Sequence, residues 1–597
     1  MCQGKFKKLY IIMRYPNNPN LLKYISLSIV GTSAGWVLYQ VKKTREILET
    51  AVDTSVLNLK PVIPEEGSMP EEFVDLQSFY PYNKSNIFKN TWDSLKFAYA
   101  RRLVRLASSK DKTDRVKAVR HLVKIRNLNQ WHYSLLANMI DSKTAIGLAR
   151  SDDVDKRLLL EPPLRYHNYN RTMLISAMRE FLINLHETSQ HPCLGFFLSK
   201  VFVYEHDNSH IVDNDSSALE LSKFIQSESD VLPKCLESLL HHASLEKYAK
   251  DIVNFNGLPL LMEIHHRYKN NVDITIKLCQ ILSFMSFDRS VLEPMHKSGW
   301  IGILSEWMKH ADVRVSIPAA RALANLDSDN EHLYSRRLYL LHPMRRTLTD
   351  QNIDVVFIHG LLGGVFYTWR QRNKSQNILS IIGKKEKKGI NYETSLSMWA
   401  SICPTEKVKF TLEERSDDLL KKLLDAGLGQ RPIVWVTHSM GGLIVKNILS
   451  KAFDCDNLAV KNVCLNTRGI VFYSTPHNGS RLANLSQATA LLLWPSVEVR
   501  ELRENSPQLR KIHEKFLKIV QAVPMKIVTF VETKSTVVTA MKLNFLLVEP
   551  NSGNPGVGEY YEVPQDHLGI CKPLTKHSFL YQKVLHILKD VLKENET

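Results

Sequence analysis

The sequence predicts an α-helical region followed by an α/β domain, with a separate apolar helix ahead of both. Three observations carry that reading. Ile433 to Val436 is β-type sequence that runs into Thr437-His438-Ser439-Met440-Gly441, and a helical pattern follows from Gly442, which makes a strand–tight turn–helix junction. From Trp92 to about Asn330 apolar residues recur at helical spacing, as in Asp114 to Ile125. An apolar run from Tyr24 to Val41 follows a basic start.

The junction at Ser439 has the context of a nucleophile elbow, in which a strained turn exposes a serine Oγ. The usual pattern is G-x-S-x-G, and Thr437 stands where the first glycine belongs. Small residues are needed there because strand and helix nearly touch, so a slightly wider elbow is expected. An S-x-G in a strand–helix turn can arise by chance, and the order of the remaining parts decides. Upstream, Asp354 to Ile358 reads as a buried strand that ends in His359-Gly360-Leu361-Leu362-Gly363-Gly364. The backbone N–H groups of Leu361 and Met440 are the expected oxyanion hole. Downstream, Thr467 to Ser474 and Met525 to Val531 read as strands, with Glu532 at the carboxyl end of the second. A last strand, Lys542 to Val548, leads through turn-rich Glu549 to Gly558 to Asp566-His567-Leu568-Gly569.

Oxyanion loop, serine, acid and histidine therefore follow in the α/β-hydrolase order. Ser439 is the expected nucleophile, His567 the base and Glu532 the acid that orients it. His438 is expected to pack or to support the site from behind. His477 comes too early for the base, and His577 opens the last helix. Glu549 is the second choice for the acid, and Asp566 is badly placed to reach the ring beside it. This chemistry needs no metal and no cofactor.

At 597 residues the chain should hold two or three domains. Its net charge of +17 would suit nucleic acid, but the first 45 residues hold eight Lys or Arg and no Asp or Glu. No aromatic–basic platform or zinc spacing accompanies that charge, which argues against nucleic-acid binding. The eight cysteines are scattered, as in a reducing compartment without a structural metal.

In order, residues 1–45 read as a basic leader and membrane anchor or targeting segment, since the eighteen residues from Tyr24 to Val41 can just span a bilayer. Residues 46–90, with Pro61, Pro64, Pro70 and Pro81, read as a linker. Residues 91–330 form the helical region. Within it, Gly257-Leu258-Pro259-Leu260-Leu261 and Gly299-Trp300-Ile301-Gly302-Ile303 open two similar units 41 to 42 residues apart, the period of armadillo or HEAT repeats. Such a stack suits a protein partner on its concave face, or serves as a spacer packed on the next domain. Residues 331–350 read as a second linker and 351–597 as the α/β-hydrolase domain.

One segment departs from that fold. Trp369 to Tyr392 is polar and lysine-rich apart from Ile378 to Ile382, and the strand expected there shrinks to about Ile390 to Glu393. The next helix, Thr411 to Ala426, is clear. The best candidate for a cap is Leu482 to Phe516, whose Ala488 to Trp494 would suit an acyl chain or form a core helix.

Together His359-Gly360-Leu361, Thr368-Trp369-Arg370, His438 to Leu443, Pro476-His477-Asn478-Gly479-Ser480, Val531-Glu532-Thr533 and His567 to Pro573 resemble the serine active site-containing lipase-like family. Ser298-Gly299-Trp300 and Ala322 to Asp327 extend the resemblance into the helical region. It implies a membrane enzyme of phosphatidylglycerol remodelling, acting by acyl transfer or hydrolysis. It also implies a place at contacts between mitochondria and endoplasmic reticulum, and a link to bis(monoacylglycerol)phosphate and cholesterol. The family's W-P-x-x-W-L helix is missing here, in the same short segment. The competing reading is therefore a scaffold whose helical region binds a mitochondrial membrane partner while the hydrolase is weak or inactive. A third, a peptidase or small-ester hydrolase, uses the same triad.

Overall fold

Strand β2 (Ile353–Ile358) is buried at every residue, and so is β4 (Ile433–His438). Strands covered on both faces belong to the middle of a parallel sheet. In the computed structural model they lie side by side in a seven-stranded sheet of order β1-β3-β2-β4-β5-β6-β9. The other members are β1 (Leu338–His342), β3 (Leu396–Ser401), β5 (Thr467–Tyr473), β6 (Lys526–Glu532) and β9 (Glu559–Val563). Every pairing is parallel except β1 with β3 at the edge. Two short strands, β7 (Thr536–Val538) and β8 (Leu543–Phe545), form a separate antiparallel ribbon. The structure describes residues 87–163, 170–189, 194, 231–245, 248, 250–335, 338–346, 351–360, 363–369, 396–401, 411–480, 503–504, 506–538 and 543–596.

Helices cover both faces of the sheet, which with this strand order is an α/β-hydrolase fold. We label helices from the two stacked units of the helical region onward, as α1 (Gly257–Arg267), α2 (Val272–Met285), α3 (Trp300–Trp307) and α4 (Val313–Leu326). In the hydrolase, α5 (Leu412–Asp425), α6 (Met440–Asp454), α7 (Leu458–Leu465) and α8 (Pro507–Ala522) share one apolar core with one sheet face. Helix α9 (Phe579–Glu596) and the turn around Trp369 share the core on the other face. Helix α5 starts where the sequence places it, at a capping box in which Thr411 and Glu414 bond each other's backbone N–H.

Three expectations are corrected. The strand after the oxyanion loop is not reduced to Ile390–Glu393, which lies outside the described residues. It is β3, six residues in parallel register with β2. Its sequence, Leu-Ser-Met-Trp-Ala-Ser, is weakly β-type, and pairing on both sides decides its state rather than propensity. The last sheet strand is not Lys542–Val548 but β9, Glu-Tyr-Tyr-Glu-Val. Tyr561 stacks on Phe530 of β6 with centroids 5.8 Å apart and meets the Phe579 ring edge-on at 4.9 Å. The stretch read as a linker, 331–350, contains β1.

Among the described residues, helices run from Ile87–Ala107 to α4 before the sheet begins. The two units noted in the sequence are helical pairs, α1–α2 and α3–α4. The Trp300 indole N–H donates to the Leu258 carbonyl at 3.2 Å, across 42 residues. The last helix, α4, lies against β1. Buried Arg321 stacks over Tyr339 at 4.2 Å and donates from Nε to Ser283 Oγ at 2.7 Å. At the end of α4, Asp327 accepts from Arg150 at 2.7 Å and from Arg346 Nε at 2.7 Å, while Asp329 binds Arg346 at 3.0 Å and also Arg115. Among the described residues, no helix is long and apolar enough to cross a membrane. The leader and Tyr24–Val41 lie outside them, as do residues 482–502 of the cap candidate.

Candidate active site

Ser439 sits between β4 and α6 with φ 55° and ψ −131°, a region that L-residues avoid unless the surroundings impose it. Here they do. The Ser439 N–H donates to the Tyr473 carbonyl at 2.8 Å and the Gly442 N–H to the Ser439 carbonyl at 3.1 Å. Glycines allow the close approach: a Cβ on Gly441 would lie 2.4 Å from the Ile358 carbonyl oxygen, and one on Gly360 would lie 2.5 Å from the Ser439 Cβ. Thr437 does not disturb the turn. It is fully buried and its hydroxyl donates to the Val471 carbonyl at 3.0 Å, so the branched side chain becomes a stitch between β4 and β5. Met440 is the first residue of α6, and N–H groups in a first helical turn have no partner within the helix. Leu361 lies outside the described residues. Of the described residues on either side of it, Gly363 donates its N–H to the Gly360 carbonyl at 3.3 Å and Gly364 its N–H to Thr368 Oγ1 at 3.1 Å.

Glu532 ends β6 fully buried. His567 Nδ1 lies 3.0 and 3.1 Å from its two carboxylate oxygens, so this nitrogen carries the proton and Nε2 is left as the acceptor. Val548 N–H donates to the same carboxylate at 2.9 Å. The backbone of Glu532 is held as well, its N–H on Ser474 Oγ at 3.2 Å. Ser474 itself has φ 44°. The His567 loop is tied down by its own N–H, which reaches Thr536 Oγ1 at 3.0 Å. Among the described residues the ring bonds Glu532 and not Ser439, in keeping with free enzymes, whose catalytic contacts tighten only around a substrate.

His438 joins the two halves. Its Nε2 lies 2.8 Å from the His567 carbonyl, which can only accept, so the proton is on Nε2. The two rings are 4.7 Å apart. Burial, together with the nearby His567, holds the His438 pKa well below the ordinary value, and the ring stays neutral. Trp369 packs edge-on to Phe357 at 5.3 Å and to His438 at 6.5 Å.

The rival residues fall elsewhere. His477 is buried against Phe472 at 4.8 Å, near His513 and Lys446, whose Nζ lies 2.7 Å from His513 Nδ1. His577 is exposed before α9. Glu549 precedes a short helical turn. The Asp566 carboxylate accepts the Gly569 N–H at 2.7 Å and does not face the ring. Sequence reasoning missed Thr536 and Ser474, hydroxyls that fix backbone groups and leave no spacing signal. Among the described residues, no group of His, Cys, Asp or Glu could hold a metal ion.

Comparison with known proteins adds a family. Residues 77–162 match the SERAC1 N-terminal domain. The human Protein SERAC1 is 33% identical over 532 residues, covering 83% of this chain and 79% of that protein. Protein SERAC1 of Danio rerio is 33% identical over 519 residues, covering 82% and 78%. Among solved structures, the mature Bacillus licheniformis lipase BlEst2 aligns over 43% of this chain and 97% of its own at 15% identity. The TM-score of that alignment is 0.29.

Proposed function

The chain belongs to the SERAC1 family, and on that premise we propose that it is a serine hydrolase or transacylase acting on acyl esters of glycerophospholipids. The observation that carries the proposal is the arrangement around His567. Its Nδ1–H is held by a buried carboxylate and its loop is bonded to the residue before a serine in strained backbone. In this reading Ser439 Oγ attacks the acyl carbonyl carbon as its proton passes to His567 Nε2. Glu532 stabilises the imidazolium through Nδ1. The oxyanion is met by the N–H groups of Leu361 and Met440, the second reinforced by the positive end of α6. The intermediate collapses, the lysolipid oxygen takes the proton from His567, and the acyl group stays on Ser439. Water or a lipid hydroxyl, deprotonated by His567, then accepts it.

The substrate assignment to phosphatidylglycerol, and the place at contacts between mitochondria and endoplasmic reticulum, are supported by the resemblance and by the basic leader before Tyr24–Val41. Purified full-length protein given phosphatidylglycerol with a labelled acyl chain should release fatty acid or transfer it to a second lipid, and Ser439→Ala should abolish both. Turnover of soluble esters with none of phosphatidylglycerol would overturn the lipid assignment and leave the serine chemistry standing.

A further inference from the structure

Large apolar side chains in the hydrolase are exposed in an uneven way. Tyr367, Val537, Leu568, Leu574 and Phe579 are each between 49% and 70% exposed. The others among the described hydrolase residues, Leu458 and Leu465, sit together on α7. The five come from three segments that the site itself ties together. The Cys571 thiol donates to the Thr368 carbonyl at 3.1 Å, joining the turn of Tyr367 to the His567 loop. Thr533 N–H to the Val563 carbonyl at 3.0 Å, and the His567 N–H on Thr536, join the strand of Val537 to the same loop. The five therefore sit on segments bonded to the His567 loop, an apolar rim beside that loop where a soluble surface would carry polar residues. A cavity of about 620 Å³ opens at Leu568, Leu574 and Phe579, lined also by Tyr561, Val563 and Lys572.

The charges beside the rim select its occupant. Lys534 and Lys576 are exposed there and Lys572 lines the cavity. Two acids share the cavity lining, Asp566, which accepts the Gly569 N–H at 2.7 Å, and Glu562 on β9, which accepts the Tyr560 hydroxyl at 3.2 Å, so the lysines outnumber the carboxylates. Apolar side chains interleaved with lysines suit an anionic bilayer, in which the first enter the acyl boundary and the second meet phosphates. We propose that this rim is the surface on which the hydrolase seats itself on a phospholipid bilayer containing anionic lipid, with the mouth of the site facing the membrane. The proposal rests on reading the site as one that acts on a membrane lipid.

Hydrogen exchange on the full chain tests it locally, so that attachment through the leader cannot mimic the result. Vesicles of phosphatidylcholine with phosphatidylglycerol should slow exchange several-fold through residues 563–579 and 533–537, and leave α7 unchanged. Leu574→Asp and Val537→Asp, made separately at exposed positions, should each reduce that protection. Vesicle capture with unchanged exchange at the rim would overturn the proposal. So would slowing that rises with protein concentration without vesicles, which would assign the rim to a second copy. Ser439→Ala run in parallel should keep the protection, so a failure of the serine chemistry remains distinguishable from a failure of docking.

Discussion

His438 shows how much of the site depends on a residue that would touch no substrate. Its Nε2–H on the His567 carbonyl fixes the loop from behind, while Glu532 fixes the ring from the side. His438→Phe keeps the ring packing and removes the donor. A net hydrogen bond of about 1 kcal/mol predicts a roughly five-fold fall in kcat with KM nearly unchanged, and His438→Asn should restore part of it. A loss confined to thermal stability, with kcat intact, would reduce His438 to packing. The sequence made the neighbourhood of this residue legible because the elbow has a fixed local pattern. It could not show the bond itself, whose acceptor lies 129 residues away. Glu532 is a similar case: its place at the end of a β-type run was readable, but its distance from His567 required the register of β6 with β9.

At the scale of elements, the turns and helices that flank the sheet bury imidazoles that stay neutral. Burial holds His359 down to about 4, and His513 on α8 likewise to about 4 with help from the Lys446 charge. In the unfolded chain both would titrate near 6.5. The unfolded state therefore binds more protons between those values, and stability falls as pH drops from 6.5 towards 4. Fully buried His359 alone accounts for on the order of 3 kcal/mol across that window. Denaturant titrations at pH 7, 6 and 5 should show the midpoint falling with pH, and His359→Asn should flatten the slope. A midpoint independent of pH in this range would contradict the burial described. Elements with their own local signal, such as α5 with its cap and the core strands β2 and β4, could be read directly. Strands β3 and β9 could not, because partners make a strand of Leu-Ser-Met-Trp-Ala-Ser and of a half-exposed edge.

Across the whole molecule, the helical region and the hydrolase are joined through α4 and β1 by a buried ionic cluster. Burial pulls the Asp327 carboxyl up, yet the hydrogen bonds and charge of Arg346 and Arg150 override it and hold the pKa below the ordinary range. Asp327→Ala would leave two guanidinium groups short of a partner, at a cost of about 3 kcal/mol. Calorimetry should show a lower Tm or a separate transition for one part, and an unchanged single transition would contradict the role given to this joint. The repeat period predicted stacked helices, but nothing in the sequence announced that the last helix is shared with the sheet. Every part of the molecule described above serves Ser439, and a fluorophosphonate added to the purified chain reports whether its hydroxyl is activated. Wild type should be labelled covalently and Ser439→Ala not at all, and labelling should slow about a thousand-fold or more in Glu532→Gln, where the tautomer of His567 is no longer fixed. Folded wild type that stays unlabelled with lipid present would contradict that activation.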